Sequence, residues 1–295
     1  MSQAAMPAAA RVGRAVAAML GASALVAVTM LLAKTLGQDA AGPPLHPLQV
    51  SAGRFFFAFL AVGLVSAWWR PSLSGARWDL HAARSACGWL GVSCMFAAAA
   101  RMPLAEATAI SFLGPLFTMV LALLLLREEV GPRKWLAALI SASGAMVLIR
   151  PGTEAFQPAA LIALAAAALM GLEAIFIKRL SDREPTIRIL LINNTIGALV
   201  AVSAASLVWR WPTPEQWALL ATLGLTMLLA QTLFIQAMRS SSASGVMPVF
   251  YTTLLFATLY DFWAFGAVPD RVAALGAALI LTGTVALSLR SRRMV

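Results

Sequence analysis

Glu173 has the most chemistry to offer in this chain. It stands inside the apolar stretch 158–178, among Leu, Ala and Ile. An ionisable side chain at lipid depth is costly and marks a substrate contact, a proton relay or a buried ion pair. Two readings stand. Glu173 is a proton-coupling or substrate-amine site, or it is a carboxylate near the end of its stretch that pairs with Lys178 or Arg179. Lys34, late in the stretch 15–36, is a second candidate for ion or proton coupling, and its stem is long enough to snorkel to an interface. Arg54 has the same ambiguity, with Asp39 as its prospective partner. Gln231, in the stretch 215–237, offers an amide that can bind a substrate or bridge two helices. Trp89 lies in the middle of the stretch 80–100, where its ring either packs between helices or forms a flat wall for a ligand. Ser93 is taken with it as a candidate contact.

Two prolines interrupt apolar stretches. Pro115 and Pro248 each remove a backbone hydrogen bond, and in lipid the freed carbonyl must find a partner. Both are candidate hinge or gating positions. Phe112, Phe117, Tyr251 and Tyr260 lie near them. They either line a cavity for a partly apolar substrate or fill the gaps that bends leave.

The elements that must position these residues are long apolar helices. Hydrophobic residues make up 61% of the chain and charged residues 12%, with a mean hydropathy of +0.84. A soluble domain is nearer half apolar and a quarter charged. A membrane helix needs about 20 mostly apolar residues. Ten such stretches are predicted: 15–36, 48–69, 80–100, 104–126, 132–150, 158–178, 187–208, 215–237, 243–265 and 271–289. The expected fold is an all-α integral membrane protein of one domain, 1–295. Its first repeat runs over about 15–150 and its second over about 158–290.

Five crossings per repeat is an odd number, so the second repeat must be inverted relative to the first. Such pairs place a substrate site at their junction. The charges agree. With the N-terminus in the cytoplasm, sixteen of the 22 Lys and Arg, Arg84 among them, fall in or next to cytoplasmic loops. Arg101, Arg150, Arg210 and Arg271 fall on the other side, and Lys34 and Arg54 lie within stretches. This is the positive-inside pattern, with both termini cytoplasmic, and it explains the net charge of +10 without nucleic acid. Trp68, Trp69, Trp78 and Trp135 mark one interface, and Trp209, Trp211, Trp217 and Trp263 the other. The repeats align faintly. Lys34 matches Lys178 and Leu36 matches Leu180 at one offset, while Phe112 matches Phe250, Leu116 matches Leu254 and Arg133 matches Arg271 at another. Small residues at Ala137, Ser141 and Ala145, and at Ala273 and Ala277, pack stretches 5 and 10 together or form a dimer contact. The expected assembly is a monomer or a homodimer.

Enzyme chemistry finds no support. The chain has no phosphate-binding G-x-x-x-x-G-K-[ST] loop. His46 and His81 fall at opposite faces and form no metal cluster, and Cys87 and Cys94, roughly 10 Å apart along one helix, cannot bridge. No cofactor is expected. The expected partners are a small-molecule substrate and the lipid bilayer.

The run Met102-Pro103-Leu104-Ala105-Glu106-Ala107-Thr108-Ala109-Ile110, continuing to Pro115 and Arg127-Glu128-Glu129, resembles the EamA family of the drug/metabolite transporter superfamily. So does the continuation Trp135, Gly144 and Ile149-Arg150-Pro151-Gly152. In the second half, Met247-Pro248-Val249-Phe250-Tyr251-Thr252-Thr253 and Phe265-Gly266-Ala267-Val268-Pro269-Asp270 carry the matching segment. The resemblance covers nearly the whole chain and is strongest to bacterial metabolite exporters, including those for aromatic and other amino acids. It implies an inner-membrane transporter with a cavity between the repeats, lined by stretches 1, 3, 4, 6, 8 and 9. Two departures stand out. Ala267 replaces the usual Glu, and Thr253 stands where a match to Pro115 would be. If the Glu fixes a loop by pairing with a cytoplasmic Arg, only the first repeat keeps that device. The expected function is export of small metabolites, most of all amino acids, by alternating access. Import of a vitamin or cofactor precursor such as riboflavin is the alternative on the same fold. A non-transporting enzyme or scaffold is the third reading.

Overall fold

The computed structural model describes residues 8–38, 42–99, 110–149, 158–266 and 270–289, and these are helical throughout apart from their connections. The helices are α1 Ala8–Leu36, α2 Pro47–Trp69, α3 Trp78–Ala99, α4 Gly114–Leu125, α5 Pro132–Ile149, α6 Pro158–Ser181, α7 Thr186–Ala205 and α8 Pro214–Ser240. There follow a short helix α9, Ala243–Val246, a 3₁₀ turn Met247–Tyr251, α10 Thr252–Phe265 and α11 Arg271–Leu289.

The helix starts are written locally. Pro47 opens α2, and the His46 side chain accepts a hydrogen bond from the Leu48 N–H. Pro214 opens α8 behind a capping box: Gln216 N–H donates to Thr213 Oγ1 at 3.2 Å, and Thr213 N–H donates to Gln216 Oε1 at 3.0 Å. Gly266, at φ +65°, ends α10 in the left-handed conformation that glycine adopts without strain.

Among the described residues, six segments are long and apolar enough to cross a membrane: Ala10–Leu36, Pro47–Trp69, Ala159–Ser181, Thr186–Val208, Pro214–Ser240 and Ala243–Ala264. Gly114–Leu125 and Ala274–Gly283 are shorter apolar helices. The bundle turns large apolar side chains outward, with Leu64 77% and Leu207 84% exposed. A soluble protein does not carry so broad an apolar surface. The chain is a multi-pass membrane protein.

The contacts among the described helices follow a two-fold pattern. α1 packs on α8 and α6 packs on α3; α4 packs on α6 and α1 packs on α10; α2 packs on α7, and α5 on α11. Exchanging α1–α5 with their counterparts in the second half maps each of these pairs onto another or onto itself. The break in the fourth member repeats as well. A turn at Phe112 and Leu113 precedes α4, and the 3₁₀ turn precedes α10, so the regular helices begin at Gly114 and Thr252, at the offset that aligns Phe112 with Phe250. Pro115 stands in the first turn of α4, while Pro248 stands in the first turn of the 3₁₀ segment, inside the continuous helical run Ala243–Ala264. At Pro115 the expected mid-helix break is a helix start, where proline's missing N–H leaves nothing unpaired, whereas at Pro248 it is a change from α to 3₁₀ within the run.

The small residues of α5 and α11 serve contact within the chain. α5 lies against α11 with Ala137 2% exposed and Ala145 fully buried. A Cβ on Gly144 would stand 2.7 Å from the Gly276 carbonyl oxygen, and one on Gly283 would stand 2.7 Å from that of Ala137. Rigid backbone lies in the way at both positions. Gly144→Val is expected to cost about 1–3 kcal/mol through overpacking, while Gly131→Ala, with nothing within 4 Å of the added carbon, leaves stability nearly unchanged. Thermal unfolding of the detergent-solubilised protein checks this; equal melting temperatures for the two variants would refute the close packing.

Candidate functional site

The site is built where α3 packs on α6, with Arg54 of α2 within electrostatic range. α3 turns His81, Arg84 and Gly88 to one face by their spacing of three and four residues. Arg84 and Glu173 of α6 meet there, with Nε and Oε1 3.7 Å apart and side chains 3% and 27% exposed. Arg54 of α2 lies within electrostatic range of both. Its guanidinium carbon sits 4.6 Å from the centroid of the Phe55 ring, a cation–π contact. Gly88 gives Glu173 its room: a Cβ there would come within 3.1–3.2 Å of the carboxylate atoms. Gly91 does the same beside Met170, at 3.2 Å.

This overturns the expected partners of Glu173. Lys178 donates to Asp182 Oδ1 at 2.8 Å and to the Met238 carbonyl at 2.7 Å, and Arg179 donates to the Leu125 carbonyl at 2.8 Å. One turn separates Lys178 from Glu173, and those competing acceptors hold it at the helix end. Arg84 belongs to the interior and not to the cytoplasmic loop charges. Asp39, the expected partner of Arg54, lies outside the described residues. The legible signal for Arg84 was its position inside an apolar stretch.

The other candidates scatter. Lys34 is exposed in the last turn of α1, where a cation suits the helix dipole. Gln231 accepts a hydrogen bond from Asn194 Nδ2 at 3.3 Å and so links α7 to α8, the bridging role. Trp89 is 57% exposed, so it is not packed between helices. Ser93 lies in α3, and its side chain is outside the described set. Phe112 and Tyr251 do come together, with ring centroids 6.4 Å apart, in a packed cluster with Ala142, Ala145 and Ile280. Phe117 faces Gly171 of α6, where an added Cβ would stand 2.9 Å from its own. Tyr260 stacks on Phe256 at 6.2 Å.

Sequence reasoning missed a set of polar ties at the end of the bundle where α6 meets α7. Glu184, 4% exposed, accepts from the Arg77 N–H at 2.7 Å and faces His81 Nε2 at 3.1 Å and Arg188 Nη1 at 3.9 Å. Arg239 donates to the carbonyls of Ser181 and Glu184. At the same end Glu128 caps α9. It accepts from the N–H groups of Ala243 and Ser244 at 2.8 and 3.0 Å and from Ser244 Oγ at 2.6 Å. Lys134 reaches Ser242 Oγ at 3.3 Å and Ser244 Oγ at 3.1 Å. Glu128 therefore grips backbone at the start of α9, and not an arginine, because the free N–H groups of a helix start suit a carboxylate. Ala267, at the corresponding place in the second repeat, lies outside the described residues.

Glu173→Leu removes the anion between two guanidiniums. Breaking a buried pair costs about 3–5 kcal/mol, and the 3.7 Å separation with part-exposed Glu173 argues for the lower end. In a double-mutant cycle with Arg84→Leu, the combined loss is expected to fall short of the sum by about 1 kcal/mol or more. Additive losses in denaturant unfolding would show that the two side chains do not interact.

Known proteins place this arrangement. The model of the EamA-like transporter family matches residues 13–150 and again 157–289, one match per half. The chain is 28% identical over 245 residues to an S-adenosylmethionine uptake transporter of Rickettsia bellii, covering 83% of this chain and 84% of the relative. It is 27% identical over 210 residues to the pseudopaline exporter CntI of Pseudomonas aeruginosa, with 70% and 73% covered. A riboflavin transporter of Rhizobium johnstonii is 31% identical over 209 residues, with 70% and 68% covered. A solved crystal structure shares the fold at a TM-score of 0.77 and 23% identity, over 93% of this chain and 98% of that one. With both halves matched and its curated relatives transporters and not enzymes, the chain belongs to the EamA-like transporter family.

Proposed function

We propose that the chain exports small metabolites, amino acids foremost, by alternating access. In this reading ten crossings form two inverted repeats with both termini in the cytoplasm, in the inner membrane of a bacterium. The substrate cavity lies between the repeats, lined by stretches 1, 3, 4, 6, 8 and 9. The pairing of helices that survives exchange of the halves supports the repeat.

The observation that carries the reading is the group Arg54, Arg84 and Glu173. Isolated charge at lipid depth costs about 2.5–3.5 kcal/mol per residue on insertion scales, and packing alone gives no reason to carry it. It lies between two helices of the first half and one of the second. A site at that junction changes its exposure when the halves rock against each other. The tie from Glu128 to Ala243 and Ser244, which joins the halves at one end, is placed to open and close in that motion.

Uptake is the second reading, and a specific finding favours it: the Rickettsia relative is an uptake transporter, and the Rhizobium relative carries riboflavin. The Pseudomonas relative is an exporter, so the family runs in both directions. Aromatic amino acids are not among the substrates these relatives name, so amino-acid export rests on the sequence resemblance and on the charges of the site.

Reconstitution into liposomes tests this. With labelled amino acids, S-adenosylmethionine and riboflavin, saturable counterflow of at least one compound is expected, together with a preferred direction under a proton gradient. Absence of flux for every compound would sink the transporter mechanism proposed here. Flux indifferent to pH and to Glu173→Gln would remove proton coupling through that residue.

A further inference from the structure

The charges of the site do not balance among themselves. Glu173 faces Arg84 directly and has Arg54 within electrostatic range, so two guanidiniums stand near one carboxylate, with a formal excess of one positive charge. The Arg84–Glu173 contact at 3.7 Å is an ion pair too long for a hydrogen bond. Arg84 Nε and Nη1, and Arg54 Nε, are buried with no hydrogen-bond partner. The Arg84 side chain is only 3% exposed, so water cannot readily take over that role. A buried donor left unmade is costly, and the planar fork of a guanidinium matches a carboxylate at two points. Gly88 keeps the space beside Glu173 clear of side-chain atoms from α3.

We infer that Arg84 and Arg54 bind the free carboxylate of the transported metabolite, and that Glu173 is a resident anion displaced from Arg84 when the substrate enters. One added carboxylate cancels the one positive charge in excess and gives the unused guanidinium N–H groups their acceptors. A phosphate monoester, with about −1.5 to −2 charges, overshoots that balance. The inference rests on the transporter reading for the word substrate, but the site itself is open to a binding test that needs no flux.

Purified full-length protein is heated with the twenty amino acids, succinate, 3-phenylpropionate, 3-phenylpropionamide and phenyl phosphate, each alone. At least one free carboxylate is expected to raise the melting temperature, while its neutral amide does not. Arg84→Gln abolishes the shift. If that variant does not fold, Arg84→Lys, which keeps the charge but loses the fork, weakens binding about tenfold. Glu173→Gln lowers the half-saturating concentration of 3-phenylpropionate, which has no amine, at least threefold, because the resident competitor is gone. Stabilisation by amide and acid alike, a preference for phenyl phosphate, binding unaffected by the Arg84 variants, or no response to any carboxylate would overturn the inference. Flux in liposomes without carboxylate dependence would sink the inference and keep the transporter. Carboxylate binding without flux would do the reverse.

Discussion

The ion pair of Arg84 and Glu173 is the interaction on which the interior depends. Neither charge is stable alone at lipid depth. Each needs the other, and the requirement fixes the distance between α3 and α6. That distance is available because Gly88 and Gly91 present no side chain to Glu173 and Met170. A larger residue at either place would push the helices apart and strand both charges. Arg54 of α2 lies over the Phe55 ring, within electrostatic range of both Glu173 and Arg84. The resulting imbalance suits a protein that must hold and release an anion better than one that must only stay folded.

The two halves are related in architecture and differ in chemistry. In the first half, α2 and α3 bring arginines to the junction. In the second, α7 and α8 bring amides, joined through Asn194 and Gln231. The arginines of α2 and α3 thus have amides, not charges, as their counterparts in α7 and α8. A related asymmetry holds at the loops, where Glu128 of the first half grips the start of α9 in the second. The polar ties around Glu184 and Arg239 add to the hold at that same end.

Much of the fold was legible because lipid imposes a simple rule. Apolar length, cation asymmetry and Trp placement all report the same boundaries, and the match of Phe112 with Phe250 marked the repeated break before α4 and α10. Glu173 was legible as a site residue for the same reason, being an acid in an apolar run. Its partner was not. Lys178 and Arg179 were nearer in sequence, but helix geometry sends them to carbonyls and to Asp182, and the true partner came from a helix some ninety residues earlier. Phe112 and Tyr251, chosen as aromatics near prolines, do meet, yet in a packed cluster with Ala142, Ala145 and Ile280.

The sequence by itself determined the class of protein, the apolar stretches and the faint doubling of the chain, because burial in lipid acts on each stretch through its own composition. Only the tertiary structure decided which charges meet, that α5 and α11 pack within one chain, and that Pro115 begins a helix while Pro248 begins a 3₁₀ segment. Those outcomes depend on which faces of different helices approach within a few ångströms. Such distances are set by glycines and ion pairs acting across the bundle, which no single stretch encodes.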